Sequence, residues 1–476
     1  MGRLEDERNG QWVANIGYCH LGEFAWRVRR DIGHVSHHYR STIRGFGSLV
    51  HPLRRLNVGS ETMGNDRLNQ RGPFGGVRVC AMASSSERVR DALHQLDLHE
   101  DLGAVVFRDD EATLAAAARV DAKSDHGTSW VGRPVTIKDW IDVAGMPCEG
   151  ESAERTGRVP QRDATAVARL RAHGAIVIAK TQPGADHPIH GRCHHPTHPD
   201  RTPGGSSSGE AALIGVGASA VGLGSDSGGS IRLPAAWCGV VGLKPSAGLV
   251  PTTGHFPRVG FRFDGRTTMG PLAVSVDDAF EMLRCIAGPD GVDPDCHPVP
   301  LGDPSSVSVR GLRVAVLNTY GSWKVAGSTH DAVERAAIDL VALGAQIVGD
   351  SLPQHLDESL DITQRYWMRA ALKGRDVDRQ LQEWDQFNGK LTRASKAFDF
   401  VLGPVVADVA PLDRPLVGED YIFTLPWSLI GWPAISIPYG VDAATGLPLA
   451  VQIAAPRWHD HVVIAVAKAL LDTAVK

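Results

Sequence analysis

The 476-residue chain lacks several features that would assign a function class at once. No apolar run is long enough to cross about 30 Å of hydrocarbon: the best stretch, Ala211 to Gly224, is too short and too rich in Gly and Ser. The N-terminus opens with Glu5, Asp6 and Glu7 instead of a basic and then apolar leader, so no secretory signal is visible. The seven cysteines are odd in number, scattered and without a CxxC pair, a pattern of free thiols in a reducing compartment. These absences lead to the expectation of a cytoplasmic protein without a membrane partner. Excess charge is missing too: 49 Lys+Arg face 54 Asp+Glu, a net −5, which offers no basic field for nucleic acid.

What is present is ordinary globular composition, 43% hydrophobic and 22% charged, enough for a sizeable core. Residues 1–81 stand apart: Lys is absent, Arg carries the cationic charge, and no sustained apolar period follows Phe24-Ala25-Trp26. They read as a poorly ordered extension, with an Arg-rich interaction arm or a biological start at Met82 as alternatives. From Ser84 the pattern becomes regular. Ser84-Ser85-Ser86 and Glu87 open a helix carrying Val89, Leu93 and Leu96, and a second covers Asp110 to Asp121. Strand-like runs (135–137, 175–179, 313–316, 346–348, 434–438, 449–453) then alternate with helical ones (166–172, 331–343, 376–398, 461–471). Alternation of this kind predicts one large α/β domain with a mixed central sheet covered by helices on both faces.

The chemistry concentrates in two Gly/Ser loops, Gly204-Gly205-Ser206-Ser207-Ser208-Gly209 and Gly222-Leu223-Gly224-Ser225-Asp226-Ser227-Gly228-Gly229-Ser230, around a small-residue helix. A P-loop needs Lys-Ser/Thr after its last glycine; Lys244 is followed by Pro245, so that reading fails. Gly215-Val216-Gly217-Ala218-Ser219-Ala220 lacks the third glycine of a dinucleotide fingerprint. Gly205 to Gly209 formally matches G-x-S-x-G with Ser207 as nucleophile, but that elbow needs a strand before it, and His194 to Pro203 carries three prolines. Gly228-Gly229-Ser230 can converge backbone N–H groups beside a serine, as an oxyanion hole requires. A nucleophilic serine needs a base. His255 lies in a separate segment, whereas a desolvated lysine can serve, and Lys138 follows the strand Val135-Thr136-Ile137. On position alone Lys138 reads first as a surface lysine at a strand end.

These loops, together with Ile231-Arg232-Leu233-Pro234-Ala235-Ala236 and Cys238-Gly239-Val240-Val241-Gly242-Leu243-Lys244-Pro245, closely resemble the amidase signature family. Gly132 to Asp139, Met269-Gly270-Pro271-Leu272-Ala273, Gly431 to Pro438 and Gly446-Leu447-Pro448 extend the likeness from about residue 84 to the end. The resemblance implies an amidase domain over 82–476, with a catalytic core at about 130–300 and a substrate-pocket segment at about 311–430. It implies a Ser–Ser–Lys triad: Ser230 as nucleophile, Ser206 as bridge after a cis Gly205–Ser206 peptide, and Lys138 as base. The amides of Ser227, Gly228 and Gly229 would hold the oxyanion, and Asp226 and Arg232 would brace the loop. The expected reaction is hydrolysis of a small linear amide through an acyl-enzyme, with no cofactor and no metal; the sequence is compatible with a homodimer and leaves the oligomeric state open.

Departures from the family pattern bear on substrate. Ser428 stands where Asn is frequent, and the segment 311–400 is short. Trp140, Phe423, Trp427 and Trp432 suggest an apolar acyl pocket for neutral aliphatic or aryl amides. The alternatives are the amidase component of a tRNA-dependent amidotransferase, which usually has an acidic residue where Tyr421 precedes Thr424 by three, and a catalytically silent scaffold of the same fold. His187, His190, Cys193, His194, His195 and His198 have ligand chemistry at close spacing, but they match the family's connector into the first Gly/Ser loop; His459 and His461 read as a solvated helix start.

Overall fold

The structure, a computed structural model, describes residues 84–123, 130–257, 266–349, 356–368 and 374–474, all within one compact unit. The expected extension, residues 1–81, lies outside the described residues. Ser84 caps helix Ser85–Leu98 in a capping box with Glu87, and Val89, Leu93 and Leu96 are buried as their spacing requires. Helix Asp110–Asp121 starts on an Asp109 cap. No helix among the described residues is long and apolar enough to cross a membrane.

The strands are β1 (Val105–Phe107), β2 (Pro134–Lys138), β3 (Ile176–Thr181), β4 (Asp186–His187), β5 (Gly191–Arg192), β6 (Val221–Asp226), β7 (Val241–Lys244), β8 (Thr268–Ala273), β9 (Arg313–Val316), β10 (Gln346–Gly349), β11 (Phe400–Pro404), β12 (Ala434–Val441) and β13 (Pro448–Ala454). All but the β4–β5 hairpin form one sheet in the order β1-β3-β2-β6-β8-β7-β12-β13-β11-β9-β10. It is mixed: β2 runs parallel to β3 and β6, β9 parallel to β10 and β11, and the other pairs are antiparallel. Helices flank it. Val135 and Ile137 point into the largest apolar cluster, while Thr136, on the opposite face, donates to the buried Glu210 carboxylate.

Two elements differ from the sequence pattern. The segment Gly222 to Ser225, expected as loop, is the middle of the fully buried strand β6. Its glycines are required by packing: a Cβ on Gly222 would lie 1.7 Å from Glu210 Oε2, and one on Gly224 2.8 Å from Ser207 Oγ. Helix Ser208–Gly215 therefore sits directly on that strand, closer than side chains would allow. The helix expected over 376–398 runs Arg375–Ala394 and buries Gln380, Trp384, Phe387 and Leu391, whereas Leu381 is 40% exposed.

Candidate active site

Lys138 is the last residue of β2, and Ser225 and Asp226 end the neighbouring β6. Because the two strands are parallel, with Ile137 opposite Leu223, their carboxyl ends lie side by side. That is where open α/β sheets place their ligand crevices. The Lys138 side chain is fully buried, with Nζ 2.7 Å from Ser206 Oγ, 3.3 Å from Ser225 Oγ and 4.0 Å from the centroid of the Trp140 ring. Burial pulls its pKa down to about 7, against the opposing pull of the carboxylates of Glu151, Asp226 and Glu210. The surface-lysine alternative fails.

The two Gly/Ser loops meet beside it. The Gly205–Ser206 peptide is cis, as the resemblance implied, and the Ser207 N–H donates to the Ser230 carbonyl at 3.1 Å. The Tyr421 hydroxyl donates to the Gly205 carbonyl at 2.9 Å and faces the Ser230 side chain, tying both loops to a third segment. Ser206 and Ser230 remain partly exposed, so a ligand can reach them. Ser207 does not: it is fully buried with its hydroxyl on the Ser225 carbonyl, and no strand precedes it, which removes the elbow alternative.

Asp226 organises the second loop. Its carboxylate takes Arg232 in a fork, Nε at 3.0 Å and Nη2 at 3.1 Å, with both side chains fully buried. It also accepts the N–H groups of Gly229 at 2.7 Å and Ile231 at 3.2 Å. The Gly229 amide, one of three expected to face an oxyanion, is thereby turned to Asp226. Ser227 and Gly228 keep amides without a protein acceptor among the described residues. Arg232 reaches on to the Thr424 carbonyl and to Ser428 Oγ at 2.7 Å, and the Thr424 hydroxyl donates to the Gly228 carbonyl.

The expected pocket aromatics are largely elsewhere. Trp427 and Trp432 stack on each other in a core cluster with Phe398 and Val401, and Phe423 is fully buried in another. Only Trp140 meets the site. The partly exposed apolar groups beside the two loops are instead Trp367, 3.1 Å from a Cβ placed on Gly228, and Leu416, 3.1 Å from one on Gly205, with the fully buried Leu425 packed behind them. Sequence reasoning also missed Glu151. Its carboxyl, pushed up to about 8 by burial, lies in electrostatic range of Lys138 and Tyr421 and makes no hydrogen bond among the described residues. His255, read as a separate segment, packs edge-on against Trp140 with ring centroids 6.2 Å apart; burial holds it neutral, near a pKa of about 3.

No periodicity signals Glu151 or His255, since loops far apart in sequence bring them in. Ser225 was no more findable, because what sets it beside Lys138 is the parallel pairing of β2 with β6, a strand that composition does not reveal. In the connector, His195 is buried with Nε2 on the Trp237 carbonyl and Nδ1 accepting from the Thr197 and His198 amides, and Cys193 is buried in an apolar cluster. These contacts are those of a structural turn.

The model of the family described as Amidase matches residues 87–390 and 371–464. Among curated proteins, a glutamyl-tRNA(Gln) amidotransferase subunit of Anaeromyxobacter sp. (strain K) is 32% identical, covering 85% of this chain and 96% of that one. A putative amidase of Mycobacterium bovis is 30% identical, covering 81% and 89%. Among solved structures, a bacterial aryl acylamidase superposes with a TM-score of 0.72 at 22% identity, over 82% of this chain and 93% of that one. The corresponding glutamyl-tRNA(Gln) amidotransferase subunit of Thermotoga maritima gives 0.70 at 24%, over 81% and 91%. At that identity these two likenesses concern the fold.

Proposed function

The chain belongs to the amidase signature family, and from that premise we propose that it hydrolyses the C–N bond of a neutral aliphatic or aryl amide through a Ser230–Ser206–Lys138 triad. The carrying observation is the fully buried Lys138 with Nζ 2.7 Å from Ser206 Oγ and a pKa of about 7, a base poised at neutral pH. Ser206 passes its proton to Lys138 as it takes that of Ser230, and Ser230 attacks the carbonyl. The oxyanion falls to the amides of Ser227 and Gly228; Gly229 shapes the loop through Asp226. The proton leaves with ammonia or the amine, and water, activated by the same relay, frees the carboxylic acid. Every step uses residues of this chain.

Trp367 and Leu416 support a neutral acyl group, at roughly 0.8 kcal/mol per buried methylene. The test is a side-by-side measurement of kcat/KM for benzamide, butyramide and glutamine on the purified chain, scored by ammonia release. Either neutral amide is expected to exceed glutamine, by no more than about 10–200-fold, since a few pocket contacts discriminate only that far. The second reading is a component of an amidotransferase complex that delivers ammonia to a partner, and the 32% identity to the Anaeromyxobacter protein favours it. Glutamine as the best of the three would move the assignment there. Inactivity of the chain on all three, with Ser230 inert to acylating probes, would favour the scaffold.

A further inference from the structure

Arg266 precedes β8 and is fully buried, though it belongs to neither the triad nor the Asp226 network. Its guanidinium carbon lies 4.1 Å from the centroid of the Tyr366 ring and 5.7 Å from that of Trp384, two rings that meet edge to face at 82°. Nη2 reaches Thr363 Oγ1 at 3.4 Å, and Nε donates to the Ser227 carbonyl at 2.7 Å. That carbonyl shares its peptide unit with the Gly228 N–H. Because the two ends of one amide are conjugated, a cation on the oxygen draws electron density from the nitrogen and makes its N–H the stronger donor. The same bond fixes the plane of the peptide, and hence the direction of the N–H.

We propose that Arg266 is a positioning residue for the oxyanion hole, aiming and polarising the Ser227–Gly228 peptide so that the Gly228 N–H meets the negative charge developing on the carbonyl that Ser230 attacks. The inference rests on the triad reading above. A guanidinium suits the role because it stays charged at every working pH and offers a planar face to an aromatic ring while its N–H groups donate from the edge. The aromatic platform stabilises the buried cation and denies it rotational freedom, so the donor it controls is preorganised before substrate arrives. Thr424, donating to the next carbonyl along at Gly228, fixes the following peptide, the one whose N–H is held by Asp226. Each of the two peptides is thus held at its oxygen, and only the Arg266-held one has its N–H left for a ligand.

The experiment avoids the unknown substrate by timing the covalent capture of Ser230 by an alkyl fluorophosphonate: the serine oxygen bonds to phosphorus, fluoride leaves, and the phosphoryl oxygen occupies the oxyanion site. Arg266→Met is expected to slow labelling about ten- to a hundredfold, less than the loss of a whole oxyanion donor. Arg266→Lys, which keeps the cation and much of the stacking, is expected to recover at least part of that rate, and so is Arg266→Ala supplied with methylguanidinium. With benzamide or butyramide, whichever is turned over, the loss should fall on kcat and leave KM within about twofold. Labelling of Arg266→Met within threefold of the unaltered chain overturns the proposal. So does a slow rate that the lysine variant and methylguanidinium both fail to raise while the melting temperature falls in step, because that pattern belongs to a purely structural residue. If the unaltered chain is not labelled at Ser230 at all, the triad reading itself is lost and this inference with it.

Discussion

At the scale of single residues the site is a balance of burial against charge. Lys138 is useful as a base because its surroundings withhold water, and the carboxylates around it keep the pKa from falling further. Ser230→Ala and Lys138→Ala are each expected to remove nearly all turnover, and the double variant to be no worse than either, because groups acting as a unit lose their effect together. Ammonia release checks this; Ser230→Ala within tenfold of the unaltered chain contradicts it. The pH dependence follows from the same residue. Lysine binds a proton below its pKa and cannot then accept one from Ser206, so kcat/KM should fall about tenfold per unit as pH drops below about 7. Burial keeps the Glu151 carboxyl protonated below about 8, so it carries little charge across that limb and Glu151→Gln should leave the limb in place. A pH profile of both proteins decides it, and a limb displaced to lower pH would mean that Glu151 is ionised beside Lys138.

At the scale of elements, glycine composition carries the architecture. Strand β6 is buried on both faces, yet two of its residues are glycines because helix Ser208–Gly215 brings Glu210 and Ser207 against it. Glu210 is held there by Thr136 of β2 and Thr181 of β3, so three strands and a helix share one buried carboxyl. A methyl group at Gly222 has no room, and Gly222→Ala is expected to destabilise the fold by about 1–3 kcal/mol, the usual cost of overpacking. Chemical denaturation measures it directly; an unchanged midpoint would mean that the helix can lift off the strand freely. The same crowding explains why β6 is not recognisable as a strand from composition. Gly and Ser are depleted in strands generally, and only the neighbouring helix makes them necessary here.

At the scale of the molecule, the eleven-stranded sheet gathers one of its two parallel sets, β2, β3 and β6, at the site. The strand β11 and the segment around Tyr421 to Ser428 close over the second loop from the other half of the chain, through Arg232 and Gln452. Residues 1–81 carry no apolar period, and a segment that buries little apolar area adds little stability. A chain beginning at Met82 is therefore expected to match the full one in activity and in melting temperature. A drop beyond about 5 °C, which at this size means well over 1 kcal/mol, would show that the extension packs on the domain.

Fold class, most helices, the strands β2, β3, β9, β10, β12 and β13, and the Gly/Ser motif were legible in the sequence alone. Amphipathic period, capping residues and a dense motif are local properties, and Ser84, Val89 and the Gly/Ser runs display them without help. Position in sequence could not say whether Lys138 was buried, because a strand end is polar or apolar according to what covers it. Nor could it say that Trp427 and Trp432 turn to the core while Trp367 lies beside the second loop, since aromatic residues look alike in composition wherever they point. Tertiary structure decided these, and brought Glu151 and His255 to the surroundings of Lys138 and Arg266 to the second loop. Each reaches the site through contacts between segments distant in the chain, and no spacing along one segment encodes such a contact.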